Sequence, residues 1–294
     1  KTIQKDNFIF TEHNRKKNYI ISEGEPVPFL IQLGVMTSQG KIVAAKYDKF
    51  RQINRFLEYV EDVLAELLVE NKGSKENPLK IVDFGCGKSY LTFALYHYVT
   101  NIKGLEASIT GLDLKKEVIL MCGSLAKNFG YTGLHFSTGD IESYRENALK
   151  NKEDPPDLVI TLHACDTATD YALAYAVEQK AKVILSVPCC QHEVNGKLGK
   201  TCNDNALSPL LSYGIVKERF AALATDVMRA ELLESKGYDV QILEFIDMSH
   251  TPKNLLIRGI YQGKVQEKSS GYLDLCQALG THNTLFNLLE NTIE

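Results

Sequence analysis

From residue 79 onward, short apolar runs alternate with amphipathic stretches, the pattern of a mostly parallel sheet covered by helices on both faces. The runs predict seven strands, at 79–84, 108–112, 134–137, 158–162, 183–187, 240–245 and 255–261. Apolar positions at helical spacing predict helices over 90–99, 115–128, 141–149, 167–179 and 215–236, the last stopped by Gly237. Only residues 247–253 join the final two strands, too few for a crossover helix, so the last strand should run antiparallel to its neighbour. Ahead of this block, residues 29–46 carry two short apolar runs around Ser38-Gln39-Gly40 and read as a hairpin leading into a helix over 47–68. The division expected is an N-terminal basic segment, hairpin and helix over 1–70, an α/β domain over 71–262, and a helical tail over 263–294.

Composition narrows the class. With 44% hydrophobic and 24% charged residues among 294, the chain is globular in character, and disordered or fibrous readings are excluded. No apolar run approaches the roughly 18 residues a membrane span needs. Seven cysteines, at 86, 122, 165, 189, 190, 202 and 276, form an odd set without framework spacing, which points to reduced thiols and a cytoplasmic setting. The chain begins at Lys1 without a methionine, as a fragment does, so a missing targeting segment carries little weight.

The net charge of −4 is unevenly spread: residues 1–59 hold ten Lys/Arg against six Asp/Glu, and the rest hold 23 against 31. The basic residues Arg15, Lys16, Lys17, Lys46, Lys49, Arg51 and Arg55 are interleaved with Tyr19, Tyr47, Phe50 and Phe56, a mixture that suits phosphates and unstacked bases. Lys46, Lys49, Ile53 and Phe56 also fall at helical spacing, so a solvated helix face reads equally from the same residues.

The first strand ends in Asp83-Phe84-Gly85-Cys86-Gly87-Lys88-Ser89-Tyr90 and a helix follows at once. Glycines there permit a tight turn and let a ligand approach backbone N–H groups at a helix N-terminus. The third glycine of a dinucleotide fingerprint would fall at Tyr90, whose bulk opposes pyrophosphate access and argues against an oxidoreductase. The second strand ends in Gly111-Leu112-Asp113, where a carboxylate can accept both hydroxyls of a ribose. Asp140, in Thr138-Gly139-Asp140-Ile141 after the third strand, stands where an adenine amino group would lie. Asp83, Asp113 and Asp140 thus mark the carboxyl ends of three successive strands, the edge where open α/β sheets bind ligands.

This order of motifs resembles the class I S-adenosylmethionine-dependent methyltransferases over about residues 46–262. More narrowly, Lys49-Phe50-Arg51-Gln52-Ile53-Asn54-Arg55-Phe56, Phe84-Gly85-Cys86-Gly87-Lys88, His163-Ala164-Cys165-Asp166, Pro188-Cys189-Cys190-Gln191-His192 and His250-Thr251-Pro252-Lys253-Asn254 look like a methyltransferase-like family. Its animal members are called ribosomal RNA adenine dimethylase domain-containing proteins, and tRNA 2′-O-methyltransferases look like distant relatives. The resemblance implies a Rossmann-like sheet of order 3-2-1-4-5-7-6. It also implies S-adenosylmethionine held by Asp83, Gly85, Gly87, Asp113 and Asp140, with His163 beside the methionine end. Neighbouring Cys86, Tyr90, Leu114 and Ile141 complete the expected cofactor set.

In that order the fourth and fifth strands are neighbours, so His163, Cys165, Asp166, Cys189, Cys190 and His192 should converge near the transferable methyl. Three chemistries compete there. His163, Asp166 or His192 can orient and deprotonate an acceptor, although Asp166 also suits the N-cap of the helix beginning at Thr167. A ligand pair from each strand end could bind zinc, but no Cys-x-x-Cys pair is present and no metal is expected. Cys189 or Cys190 could attack a pyrimidine with His192 lowering its pKa, although in enzymes of that kind the Pro-Cys motif follows strand four rather than strand five. The expected catalytic set is His163, Asp166, Cys190 and His192. On the substrate side stand Lys46, Lys49, Arg51 and Arg55, the turn residues His250 and Lys253, and Asp226 with Arg229, one helical turn apart and most simply paired with each other. The function expected is methyl transfer to RNA, either tRNA or rRNA. A protein or small-molecule acceptor and a non-catalytic binding protein are the alternatives. No membrane partner is expected, and the oligomeric state is not fixed by sequence.

Overall fold

The computed structural model describes residues 19–151, 154–162, 164–198, 207–246, 254–265 and 270–290. The apolar runs form strands β1 (Leu79–Phe84), β2 (Ala107–Asp113), β3 (Leu134–Thr138), β4 (Leu158–Thr161), β5 (Val183–Ser186), β6 (Tyr238–Glu244) and β7 (Leu255–Tyr261). They make one sheet in the order β3-β2-β1-β4-β5-β7-β6, as expected. Strands β1 to β5 pair in parallel, whereas β7 runs antiparallel to both β5 and β6. Strands β4 and β5 read Leu-Val-Ile-Thr and Val-Ile-Leu-Ser, apolar without alternation, because helices cover both of their faces.

The helices are α1 (Pro28–Gln32), α2 (Tyr47–Leu67), α3 (Tyr90–His97), α4 (Lys116–Asn128), α5 (Ile141–Asn151), α6 (Thr167–Glu178), α7 (His192–Lys197), α8 (Ser208–Leu211), α9 (Gly214–Ser235), α10 (Ser270–Leu279) and α11 (Thr284–Glu290). One face of the sheet packs on α2, α3 and α4, with Ile81, Ile160 and Leu185 meeting Phe50, Ile53, Leu57 and Phe93 in one core. The next residues along the strands point the other way: Val82, Val159 and Ile184 pack with α6, α9 and α11 through Ala172, Met228 and Leu285. Among the described residues no helix is long and apolar enough to cross a membrane.

The N-terminal hairpin is reduced to a single antiparallel bridge, Met36 to Ile42. Its first apolar run is instead α1, with Pro28 in the first turn and Phe29 and Leu30 fully buried. Leu30 accepts the N–H groups of both Val35 and Met36, which turns the chain before a strand can extend. The motif residue Asn54 is buried as well: its side chain accepts the Ile21 N–H at 2.8 Å and donates to the Phe50 carbonyl at 3.2 Å, tying the N-terminal segment to α2. The helix expected over 90–99 passes into a wider π-helical turn over Tyr98–Ile102.

Candidate active site at the carboxyl edge of the sheet

The turn after β1 is built by backbone hydrogen bonds. Gly85 and Cys86 donate their N–H groups to the Leu112 carbonyl at 2.8 and 3.1 Å. Gly87 donates to one carboxylate oxygen of Asp113 at 2.9 Å, and Lys115 donates to the other at 3.0 Å. Gly85 and Gly87 take φ of +72° and +53°, which glycine adopts without the penalty a Cβ would bring. A Cβ placed on Gly87 would meet only the Gly85 carbonyl, at 4.0 Å, so the turn leaves room for a ligand.

A cleft of about 80 Å³ opens beside this turn, bounded by Lys49, Asp83, residues 85–91 and Leu162. Asp83 is buried in its wall and accepts the Thr92 hydroxyl at 2.6 Å. Burial pushes the Asp83 carboxyl up to about 7, and the Asp113 charge adds to the rise against the Thr92 hydrogen bond. Cys86 is buried too, and its thiol is pushed well above the ordinary range, first by that burial and then by the Asp83 charge. In the same cleft, the Lys49 ammonium lies 5.4 Å from the centre of the Tyr90 ring and donates to Gln52. Burial, with the neighbouring Lys46 charge, pulls Lys49 below the ordinary lysine value. The cation offered by the sequence as a phosphate contact therefore lines the same cleft as Asp83.

Of the other expected cofactor residues, Leu114 beside Asp113 is 71% exposed and Ile141 beside Asp140 is half-buried. Asp140 is exposed and accepts the Ser143 N–H at 2.7 Å and the Ser143 hydroxyl at 2.9 Å, so its carboxylate serves the first turn of α5 and stays below the usual range. Arg51 pairs with Asp48 at 3.7 Å and covers the Tyr47 ring; Arg55 pairs with Glu58 at 2.7 Å and covers Tyr59. Both arginines fit the solvated helix face.

On the other side of the sheet's centre, Thr161 of β4 pairs with Ser186 of β5, so the chain leaves both strands side by side. Cys165, Cys189 and Cys190 consequently meet, with all three sulfurs within 4.8 Å of one another and Cys165 Sγ 3.3 Å from Cys189 Sγ. Burial first, and then the neighbouring thiols, push the Cys189 thiol up to about 12, which disfavours it as a nucleophile. Asp166 does not cap α6 through its side chain; its carboxylate accepts the Glu193 N–H at 3.1 Å and links the β4 loop to α7. His192 is exposed at the start of α7. His163, His250, Thr251 and Lys253 lie outside the described residues.

Asp226 and Arg229 are paired, as their spacing predicts, but they are buried beneath these loops rather than facing solvent. Arg229 donates to Asp170 at 3.0 and 3.2 Å, to Asp226 at 3.2 Å and to the backbone carbonyl of Asp166 at 2.9 Å. Burial raises the Asp226 carboxyl to about 6 despite the guanidinium. Asp170 is the member of this network that sequence reasoning missed. A carboxylate in the first turn of a helix is ordinary, and only the fold brings it 59 positions along the chain to Arg229.

A sheet of this order, with an antiparallel β7 set between β5 and β6 and a glycine turn and acidic residues at its carboxyl edge, is the Rossmann-like fold of class I methyltransferases. The chain belongs to the methyltransferase-domain family, whose model matches residues 48–197, about half of its length. Residues 48–197 are thus a methyltransferase domain, of a kind typical of S-adenosylmethionine-dependent enzymes. The chain is also 22% identical over 202 residues to a glutathione S-transferase C-terminal domain-containing protein of Homo sapiens and to its counterpart in Macaca fascicularis. The match covers 62% of this chain but only 30% of either relative. Among solved structures, an rRNA methylase from Streptococcus thermophilus is 13% identical with a TM-score of 0.41, over 70% of this chain and 95% of that one.

Proposed function

We propose that this methyltransferase takes its methyl group from S-adenosylmethionine in the cleft beside the β1 turn and delivers it to RNA. The observation that carries the cofactor half is one cleft that joins the acidic strand end Asp83, a half-buried lysine and an open glycine turn, with Asp113 bonded to that turn through the Gly87 N–H. Each polar part of that cofactor finds an opposite there. Asp113 suits the ribose hydroxyls, since a carboxylate has about four acceptor sites and the two backbone donors leave the others available. Asp83 suits the methionine ammonium and Lys49 its carboxylate, while Leu114 and Ile141 offer apolar rims for the adenine beside Asp140. The bound cofactor supplies an electrophilic methyl group on a sulfonium. The chain's own part is to orient the acceptor against it, with Asp166 and His192 on the acceptor side.

This arrangement makes cofactor binding depend on pH. Asp83 sits near 7 in the free protein, and an ammonium beside it favours the ionised form. Affinity for S-adenosylmethionine should therefore rise as pH is raised from about 6 to about 8, with a proton released on binding. Asp83→Asn should bind more weakly and lose that dependence. Calorimetric titration across this range checks both, and a parent affinity that is flat with pH would remove Asp83 from the site.

For the acceptor, exposed Lys46, Lys88, Lys115 and Lys116 stand at the same edge without an acidic partner within 4 Å among the described residues. A polyanion laid across the cleft mouth would meet them. If they neutralise phosphates, log affinity for a single-stranded RNA acceptor should fall with log salt at about −0.7 per contact, and replacing Lys88 and Lys116 by alanine should flatten the slope. The deciding experiment is transfer of tritiated methyl from S-adenosylmethionine into fractionated total RNA and protein from cells lacking this gene. Label in RNA is expected; label confined to protein would overturn the RNA half and leave the cofactor half standing.

A further inference from the structure

The three thiols at the ends of β4 and β5 form a site of their own. Four ligands around a tetrahedral Zn²⁺, with Zn–S bonds of about 2.3 Å, set sulfur atoms roughly 3.8 Å apart. Here Cys165 and Cys189 have their sulfurs 3.3 Å apart and all three sulfurs lie within 4.8 Å of one another, close enough to share one ion. Among the described residues no other His, Cys, Asp or Glu brings a ligand atom into the group. Cys165 is exposed and the other two are half-buried, so the side of the cluster facing solvent is open.

The loops that carry the thiols are held in place from beneath. Arg229 donates to the Asp166 carbonyl on the β4 loop and to Asp226, which in turn receives the side-chain amide of Gln191 on the β5 loop at 3.4 Å. Asp166, next to Cys165, adopts φ +53° and ψ −121°, a conformation an L residue rarely takes and one that costs about 1 to 3 kcal/mol. The Asp166 carboxylate accepts the Glu193 N–H, which ties this loop to α7 directly after the β5 loop.

We infer that Cys165, Cys189 and Cys190 bind one Zn²⁺ through three thiolates, with a water molecule in the fourth position, at the edge where the methyl acceptor enters. The three thiol protons leave to solvent as the ion binds. The lack of a Cys-x-x-Cys pair argues against zinc on spacing alone, but here the ligands come from two strand ends that the fold brings together. The inference does not rest on the cofactor assignment, and its test needs neither S-adenosylmethionine nor an acceptor.

The test uses the full chain, purified with a phosphine reductant, stripped of metal and titrated with Zn²⁺ against a chromogenic chelator and separately with Co²⁺. One equivalent of Zn²⁺ is expected. Co²⁺ should give thiolate charge-transfer absorption in the near ultraviolet and the strong visible bands of tetrahedral coordination. Cys165→Ser, Cys189→Ser and Cys190→Ser should each weaken Zn²⁺ binding by roughly 100-fold or more, while Cys276→Ser on α10 should leave it unchanged. Circular dichroism of the metal-free variants separates lost binding from lost folding, and the parent's Co²⁺ spectrum stands whether or not a variant folds. A parent that takes up no stoichiometric Zn²⁺, or a triple serine variant that binds it as tightly as the parent, would overturn the inference.

Discussion

Replacing Arg229 with methionine should lower the free energy of unfolding by about 3 to 5 kcal/mol, the range found when one partner of a buried ion pair is removed. Arg229 has no exposed surface, and it stands between the carboxylates of Asp170 and Asp226, which are themselves at most 3% exposed. Methionine preserves the volume but leaves two buried acids facing each other without a counter-charge. Both acids are already raised by burial in the parent, Asp226 to about 6. A raised carboxyl contributes its full stability below the ordinary value of about 4 and loses it as pH climbs through the folded value. Removing the guanidinium raises both acids further, so the deficit of the variant should be larger at pH 8 than at pH 5. Urea unfolding at the two pH values measures this. A loss below about 1 kcal/mol at pH 8 would mean that the network is not the support of the β4 and β5 loops described above.

Asp113→Ala should weaken S-adenosylmethionine binding by about 1.5 to 3 kcal/mol, or roughly 10- to 150-fold, through loss of charge-assisted hydrogen bonds. Asp113 has two tasks, since its carboxylate also receives the N–H groups of Gly87 and Lys115. Alanine abolishes both tasks and frees the glycine turn, whereas Asp113→Asn keeps a side-chain oxygen for one backbone donor. The alanine variant should therefore bind more weakly than the asparagine variant, and both more weakly than the parent. Isothermal calorimetry orders the three. Equal affinities would show that Asp113 shapes the turn without touching a ligand.

The strands were legible because two-sided burial writes itself as unbroken apolar runs, and the antiparallel last strand followed from a connection of seven residues. The Asp83, glycine turn and Asp113 arrangement was legible for a related reason: a strand that hands over directly to a helix exposes its last residues at one edge. What stayed hidden depends on long-range packing. Phe29 and Leu30 read as strand residues until the α3 face buries them as a helix. Lys49 reads as one more cation in a basic run until α2 turns it into the cleft. The approach of Asp170 to Arg229 comes from packing between elements, which spacing along the chain does not encode, whereas the meeting of Cys165 with Cys189 and Cys190 follows from strands β4 and β5 being neighbours, as expected.

The most direct test is a crystal structure of this chain grown with S-adenosylhomocysteine, the product that keeps every polar group of the cofactor. The ligand should lie in the cleft beside the β1 turn, with both ribose hydroxyls on Asp113, its ammonium toward Asp83 and its carboxylate toward Lys49. Ligand density elsewhere on the sheet, or an empty cleft at a ligand concentration of several millimolar (about 10³ times a micromolar dissociation constant), would contradict the assignment of this edge as the methyl-donor site.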